Sequence, residues 1–287
     1  MFKFFANILG YVLNFIYGFV GNYGIAIIIF TLLVKGIMLP ISIKQQKTMK
    51  KSAKIQVKAK EIQEKYANDQ VRQSQELMDL YKKENMSPFS GCLTSIVQIV
   101  LILAVFYLVS SPLTYMKKID YKVIETYTAE LKEERNVENI NYPEIAIIKE
   151  KAADDENVNI NMEFLGLDLS DIPTQDYTDW TVYIIPVLYV VTSLISTRLV
   201  TAMNKNKPQE EKAEKVVIEE KDKKEEDNSQ EDMMEEMNKQ MNLMMPIMTV
   251  SIALIAPLGL ALYWLVSNIL MIGERLVLNR VFKEEEE

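Results

Sequence analysis

Two long uncharged stretches dominate this sequence of 287 residues. Phe89–Pro112 and Met241–Gly273 contain no Asp, Glu, Lys or Arg. A helix needs about 20 mostly apolar residues to cross the hydrocarbon core of a bilayer. Because lipid offers no hydrogen-bond partners, the backbone of such a segment must satisfy its own polar groups, as a helix does. The chain is therefore predicted to be an all-α integral membrane protein.

Five membrane spans are predicted. The stretch 241–273 is too long for one span, and Pro257-Leu258-Gly259 within it is typical of a turn, so two helices are predicted there. One long kinked helix is the alternative. Two further stretches qualify although each contains a charge, Lys35 in one and Arg198 in the other. The predicted spans are residues 22–43, 89–112, 181–203, 237–256 and 258–280.

The N-terminal segment, residues 1–21, is predicted to be an amphipathic helix lying in the membrane interface. One helical face carries its small and polar residues, Lys3, Asn7, Gly10, Asn14 and Gly18. The opposite face carries Phe5, Leu9, Val12 and Ile16. This division favours an interfacial helix, with a sixth span as the alternative. The segment lacks a small-x-small cleavage site and no cysteine follows it, so neither a cleaved signal nor a lipoprotein anchor is expected.

The positive charges near the span ends predict the orientation. Residues 44–60 hold seven Lys and no acidic residue, whereas residues 113–180 hold more than twice as many acidic as basic residues. The first segment is therefore predicted to be cytoplasmic and the second extracytoplasmic. The N-terminus is then outside, while the charged linker 204–236 and the acidic tail 281–287 are cytoplasmic.

Residues 44–88 are predicted to form a cytoplasmic helical hairpin with a turn at Asn68-Asp69. Two apolar stripes at helical spacing are expected to bury each other, Ile55, Ala59, Ile62 and Tyr66 on one helix and Val71, Met78 and Tyr81 on the other. The lysines of the first helix have no evident intramolecular partner. The residues predicted to dock anionic lipid headgroups or a cytosolic partner are Lys50, Lys51, Lys54 and Lys58.

The chain contains no His and a single cysteine, Cys92. These absences exclude a Ser-His-Asp triad, a His-metal site and a paired-cysteine metal site. No catalytic residue, metal or cofactor is therefore expected, and the chain is not predicted to be an enzyme. The net charge of -8 argues against binding to nucleic acid.

Lys35 is the strongest candidate for a functional residue. A charge inside a span is costly and usually faces a wet cavity or a partner. Gly36 and Pro40 loosen the packing and the backbone hydrogen bonds beside it, and Thr31 lies one turn away on the same face. Snorkelling of the Lys35 ammonium to the inner headgroups is the alternative. Glu274, near the inner end of the last predicted span, is a candidate partner.

Four motifs resemble, in order, the YidC/Oxa/Alb family of membrane protein insertases. They are IIIFTLLVKGIMLPI at 27–41, QELMDLYKKENMSPFSGC at 75–92, FLGLDLS at 164–170 and PLGLALYWLVSN at 257–268. The resemblance implies a five-helix core around a hydrophilic groove that is open to the cytoplasm and to lipid. The groove residues that it implies are Lys35, Thr31, Gln98, Ser196, Thr197, Trp264 and Asn268. The residues implied to form a slide for the substrate's apolar span are Tyr263, Met241, Met245 and Met248.

The resemblance also implies a function and a location. The chain would guide nascent membrane proteins into the bilayer of the bacterial plasma membrane, alone or with the Sec translocon, with the ribosome as a further partner. Three features depart from the family pattern. Its groove cation is usually Arg rather than Lys35, its usual Gln is replaced near Ser196, and the loop 113–161 is unusually long. The tail 281–287 lacks the basic extension by which some members bind ribosomes.

Two other functions were weighed against insertion. A solute transporter could use Lys35 as an anion site, but it predicts an internal repeat symmetry that the sequence lacks. A structural membrane subunit would leave Lys35 unexplained. Insertion therefore remains the leading hypothesis.

The predicted orientation is tested by cysteine labelling with a reagent that cannot cross the membrane. A cysteine at Asp154 should be modified from outside, because 113–180 is predicted to be extracytoplasmic, whereas one at Lys58 should stay unmodified. The reverse labelling pattern would overturn the orientation.

Overall fold

The structure is a computed structural model that describes residues 2–67, 69–84, 90–205 and 248–284. Its α-helices are α1 (Phe2–Val20), α2 (Tyr23–Lys65), α3 (Gln70–Lys83), α4 (Ser90–Ser110), α5 (Tyr121–Arg135), α6 (Pro143–Lys151), α7 (Ile184–Lys205), α8 (248–255) and α9 (Leu258–Glu284). A π-helix at Leu113–Lys117 and a 3-10 helix at Trp180–Tyr183 precede α5 and α7. Two short antiparallel strands, β1 (Glu163–Phe164) and β2 (Leu167–Asp168), form a hairpin between α6 and α7.

Four helices within the described residues are long and apolar enough to cross a membrane. They are Phe2–Val20, Tyr23–Thr48, Trp180–Leu199 and Leu258–Val281. The last three coincide with predicted spans, so the prediction of an all-α membrane protein is confirmed at this level. The first is the segment predicted to lie in the interface. Its length suits either an interfacial helix or a sixth span. Most of the predicted span 237–256 lies outside the described residues, and α8 is separated from α9 at Ala256 and Pro257.

The first predicted span and the first helix of the hairpin are one continuous helix. α2 has 43 residues and runs through Pro40 without a break, which makes it about 64 Å long at a rise of roughly 1.5 Å per residue. It therefore extends well beyond a bilayer core of about 30 Å. Its first turn is capped by the Asn22 side chain, which accepts from the Ile25 N–H.

The hairpin between α2 and α3 buries only one of its two predicted apolar stripes. Ile55 and Ala59 on α2 are buried, but the prediction is wrong for Val71 and Met78 on α3, which are both exposed. α3 has no buried residue. The spacing of apolar residues does not determine how a short helix is rotated about its own axis against its neighbour. Here Val71 and Met78 of α3 face away from α2.

α1 packs against α4, α2 and the π-helix with a face that includes Gly10 from the predicted polar side and Ile16 from the predicted apolar side. Ala6, Gly10, Leu13 and Ile16 are buried, while Phe5, expected on the apolar face, is exposed. Gly10 lies so close to the π-helix that a Cβ there would overlap the carbonyl oxygen of Tyr115. The face of α1 that packs is thus the one whose backbone can approach the π-helix closely. Large apolar side chains remain on the outer surface of α1.

One segment joins the starts of α2 and α9. The Tyr23 N–H donates to the Asn161 carbonyl at 3.0 Å, and the Gly259 and Leu258 N–H groups donate to the Leu169 and Asp171 carbonyls, each at 2.9 Å. These bonds satisfy N–H groups that a helix leaves unpaired at its start. The two helices therefore begin at the same end of the bundle, here called the loop side, and run in the same direction.

A buried carboxylate ties α6 to the π-helix. Glu144 is 6% exposed, and it accepts from the Thr114 backbone N–H at 2.9 Å and the Thr114 hydroxyl at 2.6 Å. Burial raises the pKa of Glu144, and the hydrogen bonds from Thr114 oppose that shift. Glu144 thus fixes the loop-side segment to the ends of the apolar helices.

Gly10→Ala tests the docking of α1. The new methyl group has to displace the Tyr115 carbonyl, so we expect a loss of about 1–3 kcal/mol in the free energy of unfolding in detergent. Gly18→Ala in the same helix is the control, since nothing lies within 4 Å of its Cβ position, and it should be neutral or stabilising. Equal effects at the two positions would show that α1 does not pack as described.

Glu144→Ala tests the buried carboxylate. The variant leaves the Thr114 N–H without its acceptor, so the free energy of unfolding should fall by about 1–3 kcal/mol. The control is Glu150→Ala on the same helix, which removes only the partly exposed ion pair with Arg135 and should cost about 0–1 kcal/mol. Comparable losses in the two variants would contradict the role assigned to Glu144.

Candidate functional site

Lys35 follows Thr31 by about one turn on α2. Thr31 is buried, and its hydroxyl donates to the Ile27 carbonyl of its own helix at 2.6 Å. Lys35 is half-buried. The Thr31 donor is thus occupied by the backbone, whereas the Lys35 ammonium has no hydrogen-bond acceptor among the described residues.

Lys35 lies in the field of two charges on α9. Glu274 attracts the Lys35 charge and Arg275 repels it, and α2 packs along α9. Lys35 lies roughly 18 Å along α2 and Glu274 roughly 24 Å along α9, counted from their starts on the loop side. Glu274 is therefore about one turn deeper than Lys35, and among the described residues Lys35 makes no hydrogen bond or ion pair of its own. Beside it, the Cβ position of Gly36 has nothing within 4 Å.

Polar side chains also lie between α7 and α9. Asn268 on α9 is buried and donates to the Thr192 hydroxyl on α7 at 3.5 Å. Ser196, one turn beyond Thr192, is buried as well. Trp264 and Tyr189 extend the same contact with ring centroids 5.8 Å apart. Two predicted groove residues, Ser196 and Asn268, are thus brought into one seam between these helices, and Trp264 lies beside them.

The other two predicted groove residues lie at the surface. Gln98 on α4 is exposed. Thr197 on α7 is exposed, and its hydroxyl donates to the Ser193 carbonyl at 3.0 Å. The structure therefore does not gather all seven predicted groove side chains around one enclosed space.

The residues predicted to form the substrate slide are placed in different environments. Tyr263 belongs to the buried core, so its ring is not presented at the surface. Met248 on α8 is 58% exposed. Met241 and Met245 lie outside the described residues. Of the predicted slide, Met248 is the described side chain with an accessible apolar surface.

The expectation that the hairpin lysines lack an intramolecular partner is wrong for two of them. Lys58 forms an ion pair with the Glu84 carboxylate at 2.7 Å, and the Lys51 ammonium donates to the Glu84 backbone carbonyl. Lys58 accordingly lowers the pKa of Glu84, chiefly through its hydrogen bond. Glu84 was missed because it lies 26 residues further along the chain, beyond the turn. The side chains of Lys50 and Lys54 lie outside the described set.

Sequence reasoning also missed Thr192 and Tyr189 on α7. Thr192 precedes Ser196 by four residues, and that spacing places both on one helical face. Tyr189 precedes Thr192 by three residues and has the same signal. Within the described ranges no group of three or more His, Cys, Asp or Glu could hold a metal ion.

Comparison with known proteins places this arrangement in a family. Residues 15–286 match the family described as 60Kd inner membrane protein. The chain belongs to this family. Because the family is one of inner membrane proteins and four described helices are able to span a bilayer, the chain is a multi-pass membrane protein.

Similar members of the family include several described as "Membrane protein insertase YidC". The one from Wigglesworthia glossinidia brevipalpis is 45% identical over 98 residues, 34% of this chain and 18% of the relative. The one from Syntrophus aciditrophicus is 51% identical over 87 residues, 30% and 16% of the two chains. The one from Francisella tularensis subsp. novicida is 38% identical over 107 residues, 37% and 19%. These matches confirm the resemblance, and each spans less than a fifth of the relative's length.

Proposed function

We propose that this chain is a membrane protein insertase that guides nascent membrane proteins into the bilayer. The observation that carries the proposal is Lys35, a half-buried cation inside a helix otherwise apolar enough to span. Such a charge is expensive to keep in a membrane and is usually retained for function. The names of the family's similar members support the same activity.

The proposed mechanism uses Lys35 to lower the barrier for a polar segment. Acidic residues in the tail of a nascent protein are attracted to the Lys35 ammonium, because an opposite charge offsets part of the cost of desolvating a carboxylate. The tail then has a shorter apolar distance left to cross. Burial of the substrate's apolar span in lipid drives the step, so no nucleotide is needed.

The seam between α7 and α9 supplies the remaining polar contacts in this proposal. Its single described side-chain hydrogen bond, from Asn268 to Thr192, is long at 3.5 Å, and such bonds are weak. Separation of the two helices would uncover Ser196 and Asn268 to a substrate. The exposed Met248, together with Met241 and Met245, would offer adaptable apolar contacts to the substrate span.

The orientation and the partners are part of the same proposal. The N-terminus lies outside and the hairpin in the cytoplasm of a bacterial cell, where Lys50 and Lys54, with Lys51 and Lys58, meet anionic headgroups or a cytosolic partner. Lys51 and Lys58 remain largely exposed while bound to Glu84. The chain works alone or beside the Sec translocon, with the ribosome delivering the substrate.

Lys35→Ala tests the proposal when insertion is measured in liposomes with paired substrates. Insertion of substrates with acidic tails should fall strongly, because the attracting charge is gone, whereas substrates with neutral tails should be affected less. Lys35→Arg is the matched control and should retain most activity, since the charge is kept. Full activity of Lys35→Ala on acidic-tailed substrates would contradict the groove mechanism.

A relocated charge separates this mechanism from snorkelling. If Lys35 serves only as an anchor to headgroups, the double change Lys35→Ala with Leu39→Lys should restore function, because Leu39 lies one turn closer to the hairpin side. If Lys35 is a groove cation, the relocated charge should not rescue substrates with acidic tails. Rescue of those substrates would favour the anchor.

A further inference from the structure

The β1–β2 hairpin turns through a residue that is unfavourable for its backbone. Phe164 pairs with Leu167, so the turn consists of Leu165 and Gly166, with φ of 53° and 80°. Two positive φ values define the tight hairpin turn for which Asn-Gly is the preferred sequence. A bulky side chain at positive φ is a conformational outlier.

The packing of the hairpin does not explain Leu165 either. Its side chain is 87% exposed, the largest exposed fraction among the exposed large apolar residues of the described chain. Neither the backbone conformation nor a contact within the described protein therefore favours leucine here. A backbone outlier of this kind is a candidate for function, and the exposed Leu165 side chain is available for a contact outside the chain.

The hairpin lies where a membrane-spanning helix begins. The Asn22 side chain donates to the Glu163 carbonyl at 2.6 Å, and Phe164 packs so closely on Gly24 that a Cβ there would overlap its ring. Ile25 and Ile29, on the first two turns of α2, are exposed, as expected of side chains facing lipid. The hairpin tip is thus level with the edge of the apolar part of α2.

A second span marks the same boundary. Trp180 and Tyr177, at and just before the start of the span Trp180–Leu199, are 74% and 69% exposed. Exposed Trp and Tyr at the end of a span are typical of the zone between headgroups and acyl chains. Lipid is therefore the surface available to Leu165 at this level.

We propose that Leu165 inserts into the lipid on the loop side, at the boundary between headgroups and acyl chains. Glu163 and Asp168 face each other across the hairpin just behind the tip, and their carboxylates hold the base of the hairpin in the aqueous headgroup region. Only the tip enters lipid. The inserted leucine would fix how deep in the membrane the segment that joins α2 and α9 lies. This inference requires that the chain is embedded in a membrane but does not depend on the proposed insertase activity.

The insertion is measured with a fluorescent probe on the full chain in phosphatidylcholine vesicles. In a Cys92→Ser background, Leu165→Cys carries an NBD label, and Glu138→Cys, in the exposed α5–α6 connection, carries it as the matched control. Lipids with a nitroxide near the top of the acyl chain should quench the probe at Leu165 several-fold more than the control. Quenching of both probes by aqueous iodide alone would overturn the proposal.

A second comparison tests the leucine itself, since an NBD label is apolar. The label is placed at Glu163→Cys, with residue 165 either Leu or changed by Leu165→Asn. Asparagine suits the turn, so the hairpin keeps its shape and loses only its apolar tip. Lipid quenching of the label should fall markedly in the Leu165→Asn protein. Unchanged quenching would show that Leu165 does not hold the hairpin in the membrane.

Discussion

A positive charge on Lys35 has to be accommodated inside a helix that is otherwise apolar enough to cross a bilayer. The cost of that charge is tolerated only where water, a counter-charge or a partner can reach it. On α9, Glu274 supplies a counter-charge to Lys35, whereas Arg275 is a like charge that opposes it. In the proposed mechanism, Lys35 is the point at which the apolar bundle receives a polar segment.

The relation between Lys35 and Glu274 depends on contacts at the opposite end of the bundle. Backbone carbonyls of residues 161–171 accept hydrogen bonds from the first N–H groups of both α2 and α9. Because these helices start together and run in the same direction, residues a similar number of turns along them reach similar depths. The loop-side segment thus sets the geometry of a site that it does not touch, and Glu144 fixes the connected π-helix to α6.

Hydropathy and helix signals were sufficient to predict the all-α membrane architecture and three of its spans, and the role of Lys35 stays a prediction. Uncharged stretches predict helices because, in lipid, the backbone N–H and C=O groups have to hydrogen-bond each other. Asp69, a residue of the predicted turn, caps the start of α3. The buried face of α1 could not be predicted, because it depends on how closely Gly10 approaches Tyr115. The burial of Tyr263 and the pairing of Lys58 with Glu84 depend likewise on distant parts of the chain.

The proposed activity needs no cofactor and no second protein in its simplest form, so it can be measured with purified components. The decisive measurement is the insertion of a small single-span protein with an acidic tail into liposomes that contain only this chain. Protease protection of the tail should rise well above the level in protein-free liposomes. Equal protection with and without the chain, at matched lipid composition, would contradict the account.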